Sequence, residues 1–264
     1  MLAHVLAAVE GAGASRVEVV VGPDRHDVAK EAAAFAREAR TVEQRDRLGT
    51  AHAVLQAREA LRQGFDDVVI AFADTPLVGQ EVFARLRRPL AARAAVAVLG
   101  FEAADPTGYG RLIVTGDDVV AIREQRDASE EERRITLCNA GLMALRGDIA
   151  LALLEGVGNA NAKGEYYLTD VVEGAVARGE RAAFVTAPED EVMGVNDRVQ
   201  LAAAEKLMQG RLRAAAMVGG TTLVDPDTVY LSTDTRFGRD VLVEPQVVFG
   251  PGVEVADEVV IRSF

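Results

Sequence analysis

Residues 67 to 77 read Asp-Val-Val-Ile-Ala-Phe-Ala-Asp-Thr-Pro-Leu, an apolar run followed by an aspartate and a proline. The apolar part, residues 67 to 72, predicts a buried strand. Further β-branched or apolar runs at residues 16 to 21 and 94 to 100 predict two more strands. Helical patterns separate these runs, and strands that alternate with helices indicate a mostly parallel sheet covered on both faces. The sequence therefore predicts an α/β fold.

The spacing of apolar residues predicts the helices of the chain. They are expected at residues 1–14, 27–40, 50–63, 81–88, 142–154, 170–176 and 199–208. In the second of these helices, the inward face is expected to consist of Val28, Ala32, Phe35 and Ala36. A fold of this kind usually opens with a strand, whereas this chain opens with a helix. We therefore interpret Met1 as an internal methionine of a longer ancestral sequence.

The C-terminal part of the chain has a period of six residues after Gly219-Gly220. Two interlocked series carry it: Phe237, Val243, Phe249, Val255 and Ile261, and Val241, Val247, Val253 and Val259. This periodicity is typical of a parallel β-helix, and a pair of ordinary hairpins is the alternative. The predicted domains are residues 1–200, a linker helix at 201–218 and a hexapeptide-repeat segment at 219–264.

Composition limits the class of function. The net charge of −12 argues against general nucleic-acid binding, which needs a basic face. No apolar run of about 18 residues is present, and the first residues lack the basic segment of a signal peptide. We therefore expect neither a membrane span nor secretion. The single cysteine, Cys138, suits a cytoplasmic protein and is interpreted as a packing residue rather than a nucleophile.

A polar stretch at residues 159 to 170 is dense in hydrogen-bonding side chains. It reads Asn-Ala-Asn-Ala-Lys-Gly-Glu-Tyr-Tyr-Leu-Thr-Asp. In one interpretation, Thr169 or Asp170 simply caps the following helix. That interpretation leaves Lys163, Glu165 and the two tyrosines without a role. Loops on a rigid scaffold often hold ligands, so this stretch is a candidate binding segment.

Three further positions carry candidate ligand-binding groups. Asp74 follows a predicted strand, where α/β sheets bind ligands and where Mg²⁺ takes one or two carboxylates; a turn-initiating aspartate is the alternative. Gly49-Thr50 opens a predicted helix and offers N–H groups and a hydroxyl to an anion or a base edge, unless Thr50 is a plain N-cap. Asn196 is either the N-cap of a later helix or a neutral metal ligand. His52 is expected to pack rather than to act in catalysis.

The segment 105 to 111, Asp-Pro-Thr-Gly-Tyr-Gly-Arg, places two glycines around a tyrosine. Such spacing suggests a tight loop where the backbone approaches a ligand, and a hairpin turn is the alternative. Glu124 and Asn139 each follow a strand-like run. These two residues are therefore further candidates at strand ends.

Six motifs, in this order, resemble the uridyltransferase half of the bifunctional N-acetylglucosamine-1-phosphate uridyltransferase/glucosamine-1-phosphate acetyltransferase family. They are Leu48-Gly-Thr-Ala-His, Ala73-Asp-Thr-Pro-Leu, Asp105-Pro-Thr-Gly-Tyr-Gly-Arg, Asn139-Ala-Gly, Lys163-Gly-Glu-Tyr-Tyr-Leu-Thr-Asp and Gly194-Val-Asn-Asp-Arg. The resemblance covers nearly the whole chain. The motif that begins at Asp105 and the one that contains Glu165 are the most specific. It implies a Rossmann-like nucleotidyltransferase domain followed by the start of a left-handed parallel β-helix.

The resemblance implies a reaction in which UTP and N-acetylglucosamine 1-phosphate give UDP-N-acetylglucosamine and pyrophosphate, with Mg²⁺ as cofactor. This reaction supplies a precursor of peptidoglycan and lipopolysaccharide. By motif match, Asp74 and Asn196 hold the metal and are the catalytic residues. The residues implied to read the uracil are Gln44, Gly49 and Thr50. Those implied to contact the sugar and its acetamido group are Gly110, Glu124, Asn139, Tyr167 and Thr169.

The chain departs from this family at its first residues. The family opens with a strand and a glycine-rich loop whose arginine and lysine grip the triphosphate, whereas Met1-Leu-Ala-His-Val resembles the helix after that loop. We therefore expect a gap beside the cleft and impaired turnover. Ala73 stands where the family has glycine. The acetyltransferase half is expected to be absent beyond the first hexapeptides.

Two alternative functions remain open at this point. One is a nucleotidyltransferase for another sugar, and the other is a non-catalytic fragment that binds nucleotide sugars. The family assembles as homotrimers, largely through its β-helix. Because fewer than two coils are expected here, we predict weak trimerisation or none.

Overall fold

The computed structural model describes residues 1–35 and 39–263. The chain forms two compact units, Met1–Gly194 and a second unit that begins at Val195. Within the described part of the chain, none of the helices combines the length and the hydropathy needed to cross a bilayer.

The first unit contains most of the regular structure. Its strands are β1 (Val17–Val21), β2 (Ala39–Glu43), β3 (Asp67–Ile70), β4 (Val96–Glu102), β5 (Arg111–Thr115), β6 (Asp118–Arg123), β7 (Leu137–Arg146) and β8 (Ala182–Thr186). Its helices are α1 (Leu2–Gly11), α2 (His26–Phe35), α3 (Thr50–Val54), α4 (Arg58–Leu61), α5 (Gln80–Ala91), α6 (Gly147–Glu155) and α7 (Val171–Ala177). A 3₁₀ turn, Leu55–Ala57, joins α3 to α4, so the predicted helix at 50–63 is interrupted there.

A six-stranded sheet in the order β3-β7-β4-β8-β6-β5 forms the centre of this unit. Strands β4 and β8 run parallel, whereas β7 is antiparallel to β3 and β4, and β6 is antiparallel to β5 and β8. The α/β class is confirmed, but the sheet is mixed rather than mostly parallel. One reason is the tight turn at Gly116, whose φ of 61° reverses the chain between β5 and β6.

Strands β1 and β2 form a separate two-stranded parallel sheet. A cavity of about 1010 Å³ lies between β1 and β3, and both strands line it along their length. Among the described residues, β1 pairs only with β2 and β3 only with β7. The two strands therefore present unpaired edges to the same cavity.

Two further predicted helices differ from the structure. The predicted helix at 27–40 ends at Phe35, which is 53% exposed rather than inward, and Arg40 lies in β2. Ala36 lies outside the described residues. The helical pattern at 142–154 divides into β7 and α6 because the residues up to Arg146 pair with β3 and β4. Asn139 accordingly lies inside β7 rather than after a strand.

The second unit joins one long helix to short parallel strands. They are α8 (Arg198–Val218), β9 (Thr222–Leu223), β10 (Arg236–Phe237), β11 (Leu242–Val243), β12 (Glu254–Val255) and β13 (Val260–Ile261). Arg236 pairs with Glu254 and Leu242 pairs with Val260, so the two partners of each pair are 18 positions apart in the chain. Because all these pairings are parallel, they are not those of hairpins.

The hexapeptide series supplies the core of this second unit. Val241 and Val243 are fully buried, and Phe249 packs edge to face against Phe237 with ring centroids 5.2 Å apart. The buried Gln209 of α8 exchanges two 2.8 Å hydrogen bonds with the backbone of Leu231. The helix is therefore tied to the apolar core of the short strands.

Candidate functional site

A second cavity, of about 260 Å³, lies within the first unit and collects polar residues from six separate segments. Six of the residues predicted from sequence line it: Thr50, Asp74, Gly110, Glu124, Asn139 and Thr169. We call this cavity the polar cleft. Gln44 lines the larger cavity between β1 and β3, together with Thr50.

The start of α3 interlocks with the polar stretch 159–170. The backbone N–H of Tyr166 donates to Leu48 O at 2.8 Å, and Ala51 N–H donates to Tyr166 O at 2.9 Å. The Thr50 hydroxyl accepts from Leu168 N–H at 2.9 Å, so Thr50 is not a plain N-cap, and Gly49 occupies the cap position. These bonds fix one wall of the polar cleft.

Gly49 is required by this interlock for two reasons. Its φ of 118° and ψ of 176° belong to a region that is essentially restricted to glycine. A Cβ atom at this position would lie 2.5 Å from Tyr166 O and 2.7 Å from Tyr166 N. The side chain of Gln44 reaches the same place, because its Nε2 donates to Gly49 O at 3.1 Å.

Glu124 and Thr169 face each other in the polar cleft. The Thr169 hydroxyl donates to Glu124 Oε1 at 3.3 Å. Burial raises the pKa of Glu124, and the hydrogen bond from Thr169 opposes that rise. The carboxyl is thus held in a partly desolvated position with free acceptor capacity, which suits hydroxyl donors of a sugar.

Gly110 and Asn139 form the opposite part of the cleft. Asn139 N–H donates to Gly110 O at 2.8 Å, and Asn139 Oδ1 accepts from Gly141 N–H at 3.0 Å. A Cβ on Gly110 would lie 3.1 Å from the Ile122 side chain and 3.4 Å from Glu124 Oε1. A larger residue at 110 would therefore narrow the cleft. Because Asn139 Oδ1 is engaged, its Nδ2 remains as the group available to an acceptor on a ligand.

Tyr167 does not line the cleft. Its side chain is 8% exposed, and burial is the main cause of its raised pKa. Asp170 occupies the position before α7, but its side chain makes no capping hydrogen bond. Burial, with a smaller contribution from Glu173, raises the pKa of Asp170 to about 6 from an ordinary 3.8.

Asp74 and Asn196, the two predicted metal ligands, lie in different units. The Asp74 carboxylate is half-buried, lines the cleft and has no recorded hydrogen bond or ion pair with the described residues. Asn196 belongs to the second unit, where its backbone N–H donates to Gln200 Oε1 at 2.6 Å. Asp197, not Asn196, caps α8, since its side chain accepts from Gln200 N–H at 2.8 Å.

The donor set can be compared with what a hard cation needs. Among residues 1–35 and 39–263, no group of three or more His, Cys, Asp or Glu side chains could hold a metal ion. Mg²⁺, however, commonly binds through one or two carboxylates together with water and substrate phosphates. The unpartnered Asp74 carboxylate fits that pattern of substrate-assisted binding.

Arg111 was not predicted as a functional residue, although its motif was. It is 1% exposed, and its terminal nitrogens donate to the backbone oxygens of Tyr109 and, at 3.2 Å, of Arg133. It therefore ties the loop that carries Gly110 to the loop after Glu124. The only local sequence feature that could have pointed to Arg111 is its position directly after the two glycines of the 105–111 segment. Cys138 is buried with a pKa raised by burial, which agrees with a packing role.

Further residues line the cleft that were not predicted individually as site residues, although several of them lie in the motifs quoted above. They are Phe72, Thr75, Gly108, Tyr109, Ala140, Gly141, Met143, Leu168, Val192 and Gly194. Most are apolar or glycine, and outside the 105–111 segment their residue types alone do not indicate contact with a ligand. The Thr75 hydroxyl donates to Phe72 O at 2.9 Å and so fixes the turn that contains Asp74.

The chain is similar to known proteins along its whole length. The family of MobA-like NTP transferase domains matches residues 1–136. The bifunctional protein GlmU of Xanthobacter autotrophicus is 64% identical over 264 residues, which are 100% of this chain and 59% of that protein. Proteins of the same name from Azorhizobium caulinodans and Bradyrhizobium diazoefficiens are 62% and 60% identical. The chain spans 58–59% of the length of these curated relatives.

Proposed function

Because the chain belongs to the family of MobA-like NTP transferase domains and is a nucleotidyltransferase, we propose that it transfers the uridylyl group of UTP to N-acetylglucosamine 1-phosphate. The products are UDP-N-acetylglucosamine and pyrophosphate. One observation carries the proposal: the polar cleft gathers Thr50, Asp74, Gly110, Glu124, Asn139 and Thr169 from separate segments. These are six of the ten residues that the family resemblance implies.

The proposed reaction is an in-line displacement at the α-phosphorus of UTP. An oxygen of the sugar phosphate forms the new P–O bond while the bond to pyrophosphate breaks, so no covalent intermediate with the protein is needed. Catalysis of this kind depends on positioning and on neutralising charge. The side chains of the cleft therefore act by holding the two substrates in line.

Two groups of residues position the substrates. Gln44, Gly49 and Thr50 would bind the uracil, supported by their shared contacts at the start of α3. Glu124 would accept hydrogen bonds from sugar hydroxyls, with Thr169 orienting its carboxylate. The Asn139 side-chain N–H and the Gly110 backbone would bind the acetamido group. Tyr167, which is buried and whose backbone oxygen accepts from Asp170 N–H at 3.2 Å, would support the segment that carries Thr169.

Asp74 would hold Mg²⁺ together with phosphate oxygens. The role of Asn196 as a metal ligand stays a prediction from the motif match. The bound cation would neutralise the developing charge on the phosphates. Its contribution matters here because the chain itself carries a net charge of −12. Asp74→Asn should therefore abolish metal-sensitive nucleotide binding while leaving the fold intact.

We propose further that a polypeptide of residues 1–264 alone turns over slowly. The cavity between β1 and β3 contains three arginines near its walls, and two of them are paired: Arg16 with Glu18 at 2.7 Å and Arg87 with Asp67 at 2.8 Å. Only Arg47 remains to meet a triphosphate among the described lining residues. Losing preorganised charge contacts typically costs about 3 kcal/mol of transition-state stabilisation.

Pyrophosphate release tests the turnover proposal directly. The 264-residue polypeptide is compared with a longer chain that carries a leading strand and its glycine-rich phosphate loop. We expect the longer chain to be at least about a hundredfold faster, which corresponds to about 3 kcal/mol. Equal rates would contradict the proposal.

Calorimetric titration separates the enzyme from the alternatives. UTP and UDP-N-acetylglucosamine are titrated with and without Mg²⁺ into the wild type and Asp74→Asn. A uridyltransferase should bind both in a metal-sensitive way that Asp74→Asn removes. A fragment that only binds nucleotide sugars would bind the second without metal sensitivity, and a different sugar specificity would appear as tighter binding of another UDP-sugar.

The second unit supports a proposed architecture as well. Parallel strand pairs separated by 18 residues, or three hexapeptides, suit a coil of a left-handed β-helix. We propose that residues 219–264 begin such a β-helix, after a nucleotidyltransferase domain at 1–200 and a linker helix at 201–218. The proposed assembly is a weak homotrimer or a monomer, which light scattering over a concentration series would distinguish from a stable trimer.

A further inference from the structure

The side-chain amide of Gln44 is held by two acceptors. Its Nε2 lies 3.1 Å from the backbone oxygen of Gly49 and 2.9 Å from Nδ1 of His52. A backbone carbonyl can only accept, so the amide atom beside Gly49 O has to be the nitrogen. The second hydrogen of that nitrogen then points to His52. Both hydrogens are used, and the Oε1 atom has no recorded partner among the described residues.

His52 can accept this hydrogen bond from Gln44 in one tautomer only. Nδ1 accepts from Gln44 when the ring is neutral and carries its proton on Nε2. On the other side, Gln56 Nε2 donates to His52 O at 2.8 Å and lies 3.3 Å from His52 Nε2. The contact at Nδ1, 2.9 Å, is shorter than the 3.3 Å contact at Nε2, and the shorter contact favours the tautomer in which Nδ1 accepts from Gln44.

The His52 ring is also positioned from the polar stretch. The ring centroids of His52 and Tyr166 are 6.3 Å apart. The backbone of Tyr166 forms two hydrogen bonds with the start of α3: its N–H donates to Leu48 O at 2.8 Å, and its O accepts from Ala51 N–H at 2.9 Å. The ring that orients Gln44 is thus supported by the same segment that forms a wall of the cleft.

We propose that His52 is a positioning residue for base selection. It fixes the Gln44 amide so that Oε1, an acceptor, is the group offered to the nucleotide base. An acceptor pairs with the N3–H of uracil, whereas it meets the bare lone pair of N3 in cytosine. The His52–Gln44 contact thereby favours a uridine nucleotide over a cytidine nucleotide. This inference rests on the proposed function, in which Gln44 reads the base.

Without an acceptor at position 52, the side-chain amide of Gln44 loses one of its two hydrogen bonds. The Gly49 bond alone leaves the side chain free to rotate away and present its nitrogen. His52→Leu should therefore relax the discrimination between the two bases. His52→Asn is the matched control, because an asparagine Oδ1 can stand close to the place of Nδ1 and accept the same bond.

The test is an NMR-detected titration of UTP and of CTP into the 264-residue chain with Mg²⁺, which measures weak as well as tight binding. We expect the wild type to prefer UTP by about tenfold or more, as one hydrogen-bond mismatch at a base edge allows. His52→Leu should bring the two affinities to within about twofold, and His52→Asn should keep most of the preference. Thermal unfolding confirms that each variant is folded.

A second measurement does not depend on the ligand. The chain has 3 histidines, so the imidazole nitrogen signals of His52 can be assigned by their loss in His52→Asn. We expect Nδ1 to be the bare nitrogen and Nε2 the protonated one. A protonated Nδ1 would overturn the inference even if His52→Leu were unfolded.

The outcomes separate this inference from the proposed function. If the wild type binds UTP and CTP equally, the proposed reading of uracil by Gln44 fails. If the wild type discriminates and a folded His52→Leu discriminates just as well, the role of His52 is wrong while the proposed function stands.

Discussion

The Thr169 hydroxyl donates to Glu124 Oε1 across 3.3 Å, although the two residues are 45 positions apart in the chain. Hydrogen bonds to charged groups contribute about 1.5–3 kcal/mol. Thr169→Val should therefore weaken binding of UDP-N-acetylglucosamine about tenfold and raise the pKa of Glu124 further. Calorimetry measures the first effect, and carboxyl NMR measures the second. Thr169→Ser keeps the hydroxyl and should retain the wild-type affinity to within about threefold.

Asp170 gives the chain a pH-dependent stability. Its pKa is raised to about 6 in the folded protein against an ordinary 3.8, mainly by burial. A carboxyl with a raised folded-state pKa stabilises the fold when protonated, and that stability is lost as the pH rises from 3.8 to about 6. Asp170→Asn should remove this loss.

Urea unfolding over a pH series checks this expectation. We expect Asp170→Asn to raise the free energy of unfolding by about 1 kcal/mol near pH 8, after discounting for solvent around the half-buried carboxyl. Near pH 4 the variant and the wild type should coincide. Asp117→Asn, at an exposed position, controls for the removal of one charge. A difference that grows toward low pH would contradict the argument.

Arg111 has two opposing effects on stability: its hydrogen bonds stabilise the fold, and the burial of its charge destabilises it. Its buried guanidinium satisfies the carbonyls of Tyr109 and Arg133, yet its Nε has no recorded partner among the described residues. Arg111→Met leaves two buried carbonyl oxygens without their donors, which destabilises the fold, and it also removes a buried charge, which stabilises it. We expect the first effect to be larger, so Arg111→Met should lower the free energy of unfolding by about 2 kcal/mol. Arg134→Met, an exposed arginine, should change it by less than about 0.5 kcal/mol. Stabilisation by Arg111→Met would show that the buried charge dominates.

Gly49→Ala tests the interlock between α3 and the polar stretch. The variant combines a backbone conformation unfavourable for alanine with a Cβ only 2.5 Å from Tyr166 O. We expect a loss of about 3 kcal/mol in the free energy of unfolding. Gly13→Ala is the control for a positive φ without a steric clash, because Gly13 has a φ of 81° but a Cβ there would meet no atom of the described residues within 4 Å beyond its chain neighbours. Gly13→Ala should cost about 1 kcal/mol.

Several elements could be predicted because their signals are local. The apolar run before Asp74 indicates β3, and the amphipathic pattern near Phe83 indicates α5. Strand β2 could not be found this way, since Ala-Arg-Thr-Val-Glu is half polar and its pairing with β1 supplies the structure. The same holds for β7, whose leucines fit a helical spacing as well as a strand until their pairing with β4 is known.

Some residues of the candidate site could likewise be predicted from local sequence signals, and others could not. Asp74 and the glycines around Tyr109 stand out from their position and spacing. The contact between Gly49 and Tyr166 is a long-range one that no local pattern contains, and the clamp formed by Arg111 depends on the distant carbonyl of Arg133. The roles of the cleft residues came from the motif resemblance, because a polar side chain does not itself reveal its ligand.

The unpaired edges of β1 and β3 also bear on how the protein behaves in concentrated solution. A free strand edge is a template for pairing with another chain. β1 reads Val-Glu-Val-Val-Val, a segment of high β-propensity with a single charge and no proline. Copies of a polypeptide of residues 1–264 alone that meet at these edges can extend each other's sheets. We therefore expect that polypeptide to precipitate on storage, and a ligand that covers either edge to keep it in solution.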